Sequence, residues 1–320
     1  MKMDRRNFIR NNTLLYGGLA VAPSAAFGSS LFPSDQPFVS NRPSPDKRTF
    51  ISEEVEKTIQ QVKAAIADKE VAWMFENCYP NTLDTTVDYE VIDGKPDTFI
   101  ITGDIDAMWL RDSTAQVWPY MPLIKNDNQL KALIHGLVNR QVKCVLTDPY
   151  ANAFYKDLNK VSEWSSDLPK AAPGVHERKW EIDSLCYVVR LSSRYYELTG
   201  DSTIFDKNWD KAMRLIVKTF RTEQRKDGTS PYRFIRTTNA MMDAPVFSGT
   251  GRPVKYTGLI CSMFRPSDDA TDFPYLIPSN IFAAISLEQL SDIYGTVLKD
   301  SAYAKQCRDF SNELFAAIKK

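Results

Sequence analysis

Three stretches of this chain hold carboxylates in company that suggests chemistry. The first is Gly103-Asp104-Ile105-Asp106-Ala107-Met108-Trp109-Leu110-Arg111-Asp112-Ser113, followed by Gln116 and Trp118-Pro119-Tyr120. Aspartates and an arginine sit there among apolar side chains, and polar groups so placed need partners or a ligand. Carboxylates accept from hydroxyls, an arginine donates, and a tryptophan offers its face to the C–H face of a sugar ring. On a helix over 106–116, Trp109, Asp112 and Gln116 fall one turn apart on one side. A buried Arg–Asp network that fixes a helix start reads the same residues as well.

The second stretch runs from Val175 to Ser184 and contains His176, Glu177, Glu181 and Asp183. Glu181 and Asp183 open a helix, where the backbone dipole favours acids, so capping alone would explain them. The third is Phe264-Arg265-Pro266-Ser267-Asp268-Asp269-Ala270-Thr271, inside a long loop rich in apolar residues. A carboxyl kept partly dry has a raised pKa, which suits a proton donor at neutral pH. An Asp-rich turn is the competing reading of the Asp268-Asp269 pair.

Composition removes other chemistries. The 320 residues carry 40 basic and 40 acidic side chains, so nothing pulls the chain towards nucleic acid. Cys78, Cys144, Cys186, Cys261 and Cys307 are far apart with no C-x-x-C pair, against a zinc ribbon or a disulfide scaffold. His135 and His176 are the only two histidines, too few for a three-His metal site, and His135 reads as a core residue. Gly249-Thr-Gly251 is a turn rather than a phosphate loop, and no G-x-S-x-G or H-E-x-x-H run occurs. Acid–base chemistry therefore falls to carboxylates, and no cofactor is expected.

The elements that must position these residues are mainly helical. Apolar periodicity predicts helices over 53–77, 128–146, 182–198, 203–222, 280–294 and 302–318, the last capped by Ser301. The non-helical stretches 148–180 and 225–278 are long enough to be functional loops, and the second holds a possible strand pair, 232–235 with 254–256. Paired helices without βαβ alternation favour an all-α toroid or bundle. At the N-terminus Arg5-Arg6, a short apolar stretch and the small residues around Ala25 resemble a twin-arginine export signal over 1–28, which implies a bacterial periplasmic or otherwise exported protein. The Pro- and Ser-rich 29–48 reads as a flexible linker, and 49–320 as the folded domain. No membrane association is expected once the signal is removed.

Taken together, Phe75-Glu-Asn-Cys-Tyr-Pro-Asn-Thr-Leu-Asp-Thr-Thr86, 103–120, Glu181-Ile-Asp-Ser-Leu-Cys-Tyr187 and Phe264-Arg-Pro-Ser-Asp-Asp-Ala270 resemble glycoside hydrolase family 125, the exo-α-1,6-mannosidases, in the family's order. The resemblance implies an (α/α)6 toroid that removes terminal α-1,6-linked mannose from mannans or N-glycans, with inversion and without a metal. It implies a general acid at Asp268 or Asp269. Asp104, Asp106, Trp109, Arg111, Asp112, Glu181, Asp183 and Arg265 would then bind the mannose. A complete toroid takes roughly 400 residues, so the toroid is expected to be incomplete at its C-terminal end and the general base to lie beyond this chain. The alternatives are a non-catalytic glycan-binding protein on the same toroid and another helical-toroid enzyme, a glucosidase or polysaccharide lyase.

Overall fold

The computed structural model describes residues 38–320. The predicted export signal and residues 29–37 of the predicted linker lie outside the described residues. Helices α1 (Glu53–Ala65), α2 (Lys69–Cys78) and α3 (Asn81–Thr85) lead into a hairpin of β1 (Val87–Ile92) and β2 (Lys95–Ile100). Strand β3 (Met108–Trp109) runs directly into α4 (Leu110–Val117), and α5 (Asn128–Thr147) follows. Strands β4 (Ala153–Phe154) and β5 (Val175–Glu177) precede α6 (Ile182–Thr199) and α7 (Lys207–Glu223), and α8 (Ile277–Thr296) and α9 (Ser301–Ile318) close the chain.

The fold is helix-rich, as the periodicity predicts, but several boundaries differ. The helix expected over 53–77 is two, because Asp68 caps a fresh start by accepting from the backbone N–H groups of Glu70 and Val71. The last helix is capped by Asp300, not Ser301, through its contact with the Tyr303 N–H. Segments 232–235 and 254–256 do not pair with each other. Ile235 instead bridges to Leu168, and the Phe234 N–H donates to Gly249.

Two small sheets were not expected. Asp93 and Gly94 both have positive φ, 51° and 76°, the conformation that closes a two-residue hairpin between β1 and β2. The second sheet has the antiparallel order β3-β4-β5 and brings Trp109, Ala153 and Glu177 side by side. Helix α5 lies on β2 so closely that a Cβ at Gly136 would stand 2.4 Å from Thr98 Oγ1.

The segment read as linker joins the fold from Ser40 onward. The Arg42 side chain is buried there, with Nε 2.7 Å from Asp84 Oδ2 and Nη1 3.0 Å from Glu56 Oε2. Proline content suggested a free tether, and a buried ion pair overrides it. Helix α6 is buried along most of its length, from Ile182 to Tyr195, and packs against α4, α5, α7 and α8. Its N-terminus is therefore fixed from several sides, and that end carries Glu181 and Asp183. Among the described residues no helix is long and apolar enough to cross a membrane.

Candidate active site

The cluster is built around one guanidinium. Arg111, in the first turn of α4, places Nη1 2.8 Å from Glu181 Oε2 and 3.8 Å from Asp183 Oδ2. Its Nη2 lies 3.6 Å from Asp268 Oδ1, and its Nε 3.4 Å from Asp112 Oδ2. Four carboxyl groups from three distant stretches thus converge on one cation. The sheet sets the approach: the Leu110 N–H donates to the Asn152 carbonyl, which fixes the start of α4 against β4.

Glu181 occupies the N-cap position of α6, yet its side chain makes no capping hydrogen bond. It accepts instead from Arg111 and, at 2.8 Å, from Ser184 Oγ. Capping therefore does not explain this carboxylate. Burial pushes Glu181 well above the ordinary carboxylate range, against the opposing pull of Arg111. Asp183 is pushed up to about 6, again chiefly by burial. Asp112 is raised in the same direction by burial, with the charges of Asp268 and Asp104 adding to it.

Several buried polar atoms here have no hydrogen-bond partner: Trp109 Nε1, Asp112 Oδ2, Gln116 Oε1, Glu181 Oε1 and both oxygens of Asp183. Such groups are costly unless something donates to or accepts from them. A ligand bearing many hydroxyls, each both donor and acceptor, matches them better than a simple anion or cation would. Trp109 stands edge-on to His176 with ring centroids 5.1 Å apart, and His176 Nδ1 lies 2.7 Å from the Tyr155 hydroxyl. Nδ1 thus faces a neutral hydroxyl, where a triad histidine would face the carboxylate that orients it.

The structure separates the adjacent pair that the sequence left open. Asp268 has a φ of 63° and aims Oδ1 at Arg111 and at Asn152 Nδ2, 3.2 Å away. Asp269 points elsewhere, its Oδ2 2.9 Å from Arg265 Nη2 and 2.8 Å from Ser267 Oγ. Arg265 and Asp269 thus serve each other on the outer side of the loop and stand apart from the Arg111 cluster. Asp106 is also apart, exposed and 2.5 Å from Lys160 Nζ. Asp104 is exposed. Trp109, Arg111, Asp112, Glu181, Asp183 and Asp268 are brought together.

Sequence reasoning missed Asn152 and, though it noted Glu177 in the second stretch, gave it no place in the site. Both are buried and lie next to Asp268 through the Asn152 amide. Nothing local marks Asn152, which sits in a short Ala-Asn-Ala run. Among the described residues no group of His, Cys, Asp and Glu is arranged to hold a metal ion.

The profile of a family described as metal-independent alpha-mannosidase (GH125) matches residues 68–320. The meiotically up-regulated gene 157 protein of Schizosaccharomyces pombe (strain 972 / ATCC 24843) is 38% identical over 269 residues, covering 79% of this chain. The chain spans about half the length of that curated relative, 53%. A solved metal-independent alpha mannosidase of Streptococcus pneumoniae, in a non-productive complex with alpha-1,6-mannobiose, superposes with a TM-score of 0.76 at 38% identity. That match covers 84% of this chain and 63% of the other. The chain belongs to the metal-independent α-mannosidase family, glycoside hydrolase family 125.

Proposed function

We propose that this chain forms part of an (α/α)6 toroid and acts as an exo-α-1,6-mannosidase on mannans or N-glycans. The observation that carries the reading is the ring of carboxyl groups around Arg111, several of whose buried oxygens have no hydrogen-bond partner. Arg111, Asp112, Glu181 and Asp183 would hold the hydroxyls of a terminal mannose, with Trp109 against the ring. The bound mannobiose of the Streptococcus pneumoniae neighbour supports the linkage.

In this reading Asp268 is the general acid. Its proton passes to the glycosidic oxygen as the bond from C1 to that oxygen breaks, and the remaining glycan leaves as an alcohol. Water adds to C1 from the opposite face and inverts the configuration. A second carboxylate takes the water's proton, from about 6.5–9.5 Å away.

The test measures α-1,6-mannobiose turnover by the chain and by Asp268→Asn and Asp269→Asn, with and without sodium azide. Azide attacks C1 without needing a base, so it isolates the acid step. Asp268→Asn should lose about 10²–10⁴-fold, while Asp269→Asn stays within several-fold of the parent. Equal losses in the two variants would refute the assignment. Mannobiose binding without turnover under either condition would favour the glycan-binding alternative.

A further inference from the structure

Asn152 is fully buried at the junction of α5 and β4, and each of its polar groups is engaged. The side-chain Oδ1 accepts from the Lys179 backbone N–H at 3.0 Å. Its Nδ2 donates to Glu177 Oε2 and to Asp268 Oδ1, both at 3.2 Å. Its backbone carbonyl accepts from the Leu110 N–H, and its backbone N–H donates to the Glu177 carbonyl. Rotating the amide by half a turn would aim its oxygen at two carboxylates and its NH₂ at a backbone N–H. Only one orientation satisfies all three partners.

The brace behind it is rigid. Glu177 Oε1 lies 2.8 Å from Arg236 Nη1 and 3.3 Å from Lys179 Nζ. Arg236 is in turn held by Asp167 at 2.6 Å and stacked on Trp164 at 3.8 Å. Asp268, by contrast, sits at a positive φ that a non-glycine residue holds only where its surroundings fix it there. A strained loop residue facing a rigid donor is oriented by that donor.

The amide and the guanidinium that reach Asp268 act on the same oxygen, and the Glu181 carboxyl is a third neighbour bonded to the Asp268 side chain. Asn152 Nδ2 stands 3.2 Å and Arg111 Nη2 3.6 Å from Oδ1. An oxygen that accepts from an amide and faces a guanidinium is the poorer place for a proton. We propose that Asn152 is a positioning residue that fixes the rotation of the Asp268 carboxyl and directs its proton to Oδ2, the oxygen presented to the leaving group. The proposal rests on Asp268 being the proton donor.

The experiment compares two substrates in azide buffer. α-1,6-Mannobiose has a leaving group that must be protonated, whereas the dinitrophenolate of 2,4-dinitrophenyl α-mannoside departs without a proton. Asn152→Ala should lower kcat on mannobiose about 100-fold, with KM within about threefold. On the dinitrophenyl substrate kcat should stay within about fivefold. Asn152→Asp keeps the shape and the acceptor for the Lys179 N–H but removes the donor, and it carries the same comparison in parallel. Equal losses on both substrates, or a loss confined to KM, would overturn the positioning role. Asp268→Asn separates the two layers: it must show the same split, only larger. If Asp268→Asn splits the substrates and the Asn152 variants do not, the positioning role alone falls. If Asp268→Asn shows no split, Asp268 is not the donor and both readings fall.

Discussion

The clearest physical consequence of the carboxylate ring is that Asp183 destabilises the folded chain at neutral pH. Both its oxygens are buried without a hydrogen bond, and the nearest cation, Arg111 Nη1, is 3.8 Å away. Burial lifts its pKa from 3.8 to about 6. That rise makes the charged form about 3 kcal/mol less favourable in the folded chain than in the unfolded one. Because the folded value is the higher one, the protonated form is the stabilising form. Its contribution is complete below pH 3.8 and is lost as pH rises through about 6. Asp183→Asn resembles the protonated state at every pH and so escapes the loss. Urea unfolding of parent and variant should agree near pH 3.5, diverge by about 1.4 kcal/mol per pH unit between 4 and 6, and differ by about 3 kcal/mol above pH 7. In a thermal melt at pH 7.5 the variant should gain about 6 °C. Glu181 feels the Asp183 charge, so relieving it adds to the gain in the same direction. The same variant should bind mannose at least about 10-fold more weakly, since a charged acceptor for hydroxyls is lost. A stability difference that does not change with pH would refute the reasoning, whatever its size.

The opposite perturbation should behave oppositely. Arg111→Met leaves Glu181, Asp183, Asp112 and Asp268 without their shared cation. Unfolding should show a loss of about 3–5 kcal/mol at pH 8, shrinking at pH 4.5 where Glu181 and Asp183, both raised by burial, take up protons. A loss of equal size at both pH values would mean that packing, not charge, is what Arg111 supplies. Gly136→Ala tests the seat of α5 on β2. The new Cβ would meet Thr98 Oγ1 at 2.4 Å and the Asp97 backbone at 3.0 Å. Denaturation should show a loss of about 1–3 kcal/mol, despite the gain of about 1 kcal/mol that alanine brings to a free helix.

How much of this was legible depends on the range over which each feature is decided. Helices α5, α6 and α9 follow their apolar stripes because most of that pattern is local. The β1–β2 hairpin was also written locally, in Asp93-Gly94 between stretches carrying Val, Tyr, Ile and Phe, and a reading centred on helices passed over it. The break between α1 and α2 was missed because apolar residues continue across it, although Val71 and Met74 prove exposed. In the site, residue types were informative but orientation was not. Glu181 and Asp183 looked like capping acids because a helix start favours acids whatever their side chains reach. Only the arrival of Arg111, 70 positions earlier, shows that they face a cation.

The Asp268-Asp269 pair shows where such reading ends and why. Two identical side chains on adjacent residues differ only in direction, and direction depends on a backbone angle that composition does not encode. Asp268 takes the left-handed conformation. The turn is closed by its N–H on the Arg265 carbonyl and by the Arg265 N–H on the Asp269 carbonyl. That closure turns Asp269 back onto Arg265 and Ser267. It also projects Asp268 towards an amide 116 positions away in sequence. The strain is tolerable because Asn152, already committed to Lys179 and Glu177, supplies a fixed donor at the far end. Asn152 could not be found by looking for reactive residue types, since an amide neither titrates nor attacks. It is found by asking which buried group has its orientation fully determined, and then what that orientation is aimed at.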